Sequence, residues 1–175
     1  SALTALTSGT NNIGIGLTSG DALTTGTDNI AIGRLSASAT PDGADNIAIG
    51  RSAFAVSDGV ADNNIAIGLS AMGTGDVAGA DSIAIGQSAL AALTSGYDNV
   101  VIGRNAADAL LTGFYNIALG HHALGASTDG ENNIAIGKSA LAVSGNDADN
   151  NIAIGLTAMG ASDVSGADNI AMART

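Results

Sequence analysis

The 175 residues carry 16 acidic against 5 basic side chains, a net charge of −11, yet only 12% of residues are charged and none is cysteine. That balance repels nucleic-acid phosphates and anionic membranes, and it does not describe a disordered acidic tail. Without disulfides an exported chain must take its stability from stacking of its own segments, and no apolar run reaches the ~20 residues of a membrane helix, so neither nucleic acid binding nor membrane insertion is expected.

One pentapeptide, Asn-Ile-Ala-Ile-Gly, punctuates the chain. It stands whole at Asn29–Gly33, Asn46–Gly50, Asn64–Gly68, Asn133–Gly137 and Asn151–Gly155. Near-copies stand at Asn12–Gly16, Ser82–Gly86, Asn99–Gly103, Asn116–Gly120 and Asn169–Ala173, which makes ten copies with closing positions 17 or 18 residues apart. A fixed short period is the mark of a solenoid. A second period lies above the first: Ser1–Gly9 aligns with Ser88–Gly96, and Ala61–Leu69 recurs unchanged at Ala148–Leu156, an offset of 87 residues. Residues 1–175 therefore read as one β-solenoid built from two five-coil blocks, 1–87 and 88–174. The chain begins at Ser1 without an initiator Met or signal peptide, which reads as a fragment or a processed form.

Within each coil Ile-Ala-Ile alternates with period two, as a strand does. The expectation is that the two Ile columns point inward as the core, with Ile30, Ile32, Ile47, Ile49, Ile65, Ile67, Ile134, Ile136, Ile152 and Ile154 as their full-repeat members. The Ala between them then points outward. Ala31, Ala48, Ala66, Ala84, Ala118, Ala135 and Ala153 are the expected subunit interface, a smooth apolar face for close packing of a second copy. Gly after the strand suits a corner. A second apolar anchor follows four residues later, at Phe54, Met72, Leu90, Leu124, Leu141 and Met159, or seven residues later, at Leu23 and Leu110. Turn-forming Ser, Thr, Asp, Asn and Gly fill the spaces between. The Asn opening each pentapeptide is read either as a rung of an amide ladder along the rod or as a corner residue bonding its own backbone; the two are compatible.

Repeats ending in Asn-x-Ala-Ile-Gly, with Ser-Ala-Leu and Thr-Ser-Gly or Thr-Thr-Gly between, are carried by Leu23–Gly33 and Ser88–Gly103. They resemble the repeat shafts of bacteriophage tail fibres and the head repeats of trimeric autotransporter adhesins. The resemblance covers the whole chain. It implies an all-β, parallel β-roll of ten 17–18-residue coils, left-handed in the adhesin heads, assembled as a homotrimer that binds cells or extends a binding tip. The adhesin heads have shorter repeats, which favours the tail-fibre relative. The location implied is extracellular, on a virion tail fibre or a cell surface. The partners implied are the chain itself, as a homotrimer with end-to-end stacking, and a cell-surface receptor or glycan. A self-assembling extracellular filament or matrix solenoid, or a bacterial trimeric adhesin head, is the alternative. An ice-binding solenoid would need a flat Thr column, and Thr is scattered.

The basic residues Arg34, Arg51, Arg104, Lys138 and Arg174 all follow the closing position directly. Where that column holds Arg, the column five before the closing position holds Asp, at Asp28, Asp45, Asp98 and Asp168; where it holds Leu, the other holds Asn. These are read as paired salt-bridge columns, meeting around a corner or across subunits. Tyr97, Phe114 and Tyr115 depart most from the repeat and are a candidate contact patch. No catalytic residue, cofactor or metal is expected. The calcium-roll motif is missing, Gly14-x-Gly16 with Gly20 has the wrong spacing for a phosphate loop, and no Ser has a repeat-equivalent His and Asp. His121 and His122, as strand neighbours, would face opposite ways.

Overall fold

A computed structural model gives the architecture and describes residues 1–57, 61–143, 149–161 and 166–173. Each pentapeptide forms one three-residue strand: β1 (Ile13–Ile15), β2 (Ile30–Ile32), β3 (Ile47–Ile49), β4 (Ile65–Ile67), β5 (Ile83–Ile85), β6 (Val100–Ile102), β7 (Ile117–Leu119), β8 (Ile134–Ile136), β9 (Ile152–Ile154) and β10 (Ile170–Met172). The ten strands lie in sequence order in one parallel sheet. Repeat-equivalent residues pair throughout, Ala31 with Ala48 and Ala48 with Ala66, so the eighteenth residue of the longer coils is absorbed outside the strands. The chain is a parallel β-solenoid, and nine strand-to-strand steps of ~4.8 Å make its sheet about 43 Å long.

Corners close each coil by left-handed backbone. The closing Gly50 has φ 131°, and a Cβ there would lie 2.5 Å from the carbonyl oxygen of Gly68 in the next coil. Only glycine allows that approach. Two residues on, Ser52 has φ 55°, and the amide of Ala53 donates back to the Gly50 carbonyl at 3.4 Å. Four residues on, Phe54, Met72, Leu90 and Leu141 also have φ between 47° and 50°. Large side chains seldom adopt this region, at a cost of about 1–2 kcal/mol each. Burial and intercoil hydrogen bonds offset it: the amide of Phe54 donates to the carbonyl of Ala71 at 2.9 Å. The Thr-Ser-Gly segments serve the stack directly. The amides of Thr7, Ser8 and Gly9 all aim at the carbonyl of Thr24 one coil on, at 3.0–3.3 Å.

The orientation of the strands reverses the expectation. Ala48, Ala66, Ala84, Ala118, Ala135 and Ala153 are fully buried, and Ala31 is 2% exposed. They line the interior and are not an outward interface. Ile30, Ile32, Ile47, Ile49, Ile65, Ile67, Ile134, Ile136 and Ile152 are only partly buried and Ile154 is exposed, so the Ile columns form the outer face of the sheet, not the core. The reason is thickness. A Cβ on Gly20 would lie 3.9 Å from the Cβ of Ala31, and one on Gly14 would lie 2.7 Å from Cγ of Leu3. The wall that carries the anchors thus touches the strand wall across a space one side chain deep. Phe54, Met72, Leu90, Leu124, Leu141, Leu23 and Leu110 fill that space from one wall, as predicted, and leave room for methyl groups on the other. Met159 is partly buried against the same cluster.

The opening Asn column lies inside with the Ala column. The side-chain carbonyl of Asn29 accepts from the backbone amide of Asn46 at 3.0 Å and from its side-chain amide at 3.1 Å. The side-chain amide of Asn46 also donates to the carbonyl of Ala61 at 2.7 Å. The same pattern runs from Asn99 through Asn116 and Asn133 to Asn151. Ser82 replaces one rung; among the described residues its hydroxyl accepts from the backbone amide of Asn99 at 3.2 Å and donates to the carbonyl of Ala80 at 3.4 Å. Each rung satisfies groups that would otherwise be buried without partners.

Candidate functional site

The outer face of the sheet is a regular surface feature that runs along all ten strands. Its two columns start at Ile13 and Ile15, which are 48% and 58% exposed, and continue as Ile, Val, Leu or Met to Ile170 and Met172. Residues two apart on a strand are about 7 Å apart, so the columns cover a band roughly 10 Å wide along the sheet. Parallel, in-register pairing keeps every row aligned. A contiguous apolar band of this kind is a surface fitted for contact with another molecule.

The paired charge columns do not meet within the chain. Arg34, Arg51 and Arg104 are exposed just past one end of their strands, and Asp28, Asp45 and Asp98 are exposed before the other end. Six residues of extended chain separate each Arg from the Asp of its own coil, and no ion pair joins these columns among the described residues. The backbone explains the residue type. Every residue five before a closing position has φ between 53° and 62°, the left-handed region that Asn and Asp enter most readily. Their side chains can bond along the column: the Asn11 amide donates to Oδ1 of Asp28 at 2.9 Å. Asp168 shares the left-handed backbone, and its predicted partner Arg174 lies outside the described residues.

The aromatic residues do come together. Tyr97 and Phe114 stack with centroids 4.8 Å apart and planes 6° from parallel, and Tyr115 stands at 81° and 86° to them. Tyr97 and Tyr115 are 37% and 52% exposed. The Tyr97 hydroxyl is held above its ordinary pKa, first by burial and then by Tyr115, Glu131 and Asp98.

His121 and His122 also meet, contrary to the strand argument. They lie in the corner after β7, where His122 has φ 55°, and their rings sit edge to face with centroids 4.3 Å apart. Burial first, then Arg104, His122 and Lys138, lowers the pKa of His121, against a smaller upward pull from Asp108. Nε2 of His121 is buried without a hydrogen-bond partner. Among the described residues no group of three or more His, Asp or Glu is placed to hold a metal ion. A shallow hollow of about 320 Å³ is lined by Ala22, Ala39, Pro41, Val56, Ser57 and Asp76. Comparison with protein-family models, with curated proteins and with solved structures finds no match.

Proposed function

We propose that the chain is a structural and adhesive segment of a trimeric extracellular fibre, most like a phage tail fibre, supporting attachment to a host cell surface. The observation that carries the proposal is the outer Ile band. Two aligned apolar columns along a stiff rod are what parallel copies need to pack lengthwise, and the repeat resemblance points to three of them. The Ile columns take the role first expected of the Ala columns. The covariation of Asp with Arg and Asn with Leu fits pairing between neighbouring chains, since the columns are apart within one. The outward charge and the absence of cysteine suit an extracellular shaft.

Light scattering tests this in one measurement. The wild type is expected at three times the 16.8 kDa chain mass. A variant with Ile32→Lys, Ile67→Lys and Ile136→Lys, spread along the band, is expected as a folded monomer. A monomeric wild type would remove the trimer, and a mass that grows without limit with concentration would favour the self-assembling filament.

A further inference from the structure

The column that follows the closing glycines carries one run of basic residues in three successive coils, Arg104, His121 and Lys138, bounded by Gln87 and Leu156. The structure stacks them in register. The amide of His122 donates to the carbonyl of Arg104 at 3.1 Å, that of Ser139 to the carbonyl of His121 at 2.9 Å, and that of Thr157 to the carbonyl of Lys138 at 2.9 Å. Neighbours in the run are therefore one coil step of ~4.8 Å apart, with Arg104 and Lys138 on either side of His121. Arg104 and Lys138 are exposed, and the imidazole between them is partly buried.

Like charges on adjacent rungs repel one another, and the chain offers this run little counter-charge. Each Arg of the column is matched in its own coil by an Asp five before the closing position, but the coils of His121 and Lys138 have Tyr115 and Asn132 there. Among the described residues no carboxylate forms an ion pair with Arg104, His121 or Lys138.

Asp108 is the one carboxylate that pulls on His121, and its Oδ2 accepts from the side-chain amide of Asn105 at 3.2 Å. Burial, then Arg104, His122 and Lys138, hold the His121 pKa down, each a larger effect than the upward pull of Asp108. Nε2 of His121 is buried with no partner to compensate a proton. On a chain of net charge −11 this is a local reversal of sign.

We propose that this run binds a tetrahedral oxyanion, a sulfate or phosphate group, between the guanidinium of Arg104 and the ammonium of Lys138, across the His121 rung. Each arm has to lean one coil step of ~4.8 Å to meet the other, less than the reach of either extended side chain. The guanidinium fork takes two oxygens and the ammonium a third, and two positive charges face the ligand. A doubly charged group with more than two oxygens therefore fits better than a carboxylate, and a cation would be repelled. Bound there, the anion cancels charges that oppose protonation of His121, so its binding is linked to proton uptake by that imidazole. All three side chains belong to one chain, so the proposal is independent of the fibre reading.

The chain has 2 His, so the two imidazoles are separate NMR probes, assigned with His121→Gln. Sodium sulfate and sodium phosphate are the test anions and sodium acetate the carboxylate control, all at one ionic strength set with sodium chloride so that screening is constant. Sulfate or phosphate is expected to shift the His121 resonance saturably and to raise its pKa, and acetate is expected to do neither; the tighter of the two anions names the group the site takes. Lys138→Leu reproduces the Leu–Asn pair of Leu17 with Asn11, and Arg104→Gln the Gln–Asp pair of Gln87 with Asp81, so both are expected to fold. Each is expected to weaken the test anion about two- to fivefold, as loss of one exposed charge contact does. The proposal is overturned if neither test anion shifts His121 saturably, if acetate matches them, if the His121 pKa fails to rise with the bound anion, or if both variants fold and bind as the wild type does.

Discussion

Replacing Ala66 with Leu tests which wall of the coil is inside. Ala66 is fully buried between Ala48 and Ala84 of the adjoining coils, and by repeat register it faces the anchor Phe54, itself 1% exposed. Where Gly20 opposes Ala31, a single added Cβ would already stand at van der Waals distance, 3.9 Å, from the facing wall. Three added carbons therefore have to displace Phe54 or spread two coils whose glycines stack at the closest approach the backbone allows. Overpacking of a filled core costs about 1–3 kcal/mol, and the upper end applies because neither wall can yield cheaply. For a chain of this size about 3 kcal/mol lowers Tm by roughly 6–12 °C. The neighbouring change Ile67→Lys sits on the outer face. It is expected to leave the sheet's circular dichroism at the wild-type level and to shift monomer stability by no more than about 0.5 kcal/mol. Thermal melts followed by circular dichroism, with the mass of each variant measured alongside, make the comparison. Wild-type melting for Ala66→Leu together with loss of the sheet in Ile67→Lys would refute the inward Ala assignment and restore the Ile core.

Two further predictions concern buried polar groups. Asn116→Ala strips the partners of the Asn133 amide and of the Gly130 carbonyl, so it should cost about 2–4 kcal/mol in urea unfolding; Asn116→Ser, which copies Ser82, should recover part of that, and equal costs would show that the hydroxyl gives the ladder nothing. His121 should make stability pH-dependent. Its folded pKa lies below the ordinary value because burial and the positive charges of Arg104, His122 and Lys138 oppose protonation. The unfolded chain then binds more protons, so stability is full above the unfolded imidazole value of about 6.5 and is lost as pH falls from there through the folded pKa. His121→Gln, the residue found at position 87 of the same column, should flatten the fall of Tm between about pH 7.5 and pH 5.5; an unchanged slope would exclude His121 as its source.

Much of this architecture is written in the order of residues. The spacing of the closing glycines determines a solenoid, because only stacked equivalent coils give each Ile-Ala-Ile a parallel neighbour in register. The anchors after the corner, from Leu23 to Leu141, are legible because large apolar residues recur there among turn formers. Which face of the strand turns inward is not, since alternation separates two sets of side chains without ranking them. Coil thickness decides it, and thickness follows from corners whose left-handed residues, Phe54 and Ser52 among them, no propensity would nominate. One signal was available: Asn46 and Ala48 share parity on the strand, so a buried amide ladder carries the Ala column inside with it. The charge columns stand apart within one chain, and their Asn and Asp also answer to a left-handed backbone that sequence does not display. His121 and His122 misled because they sit in a corner and not on a strand. The period is a property of the chain's order, and the inside is a property of the space its corners enclose.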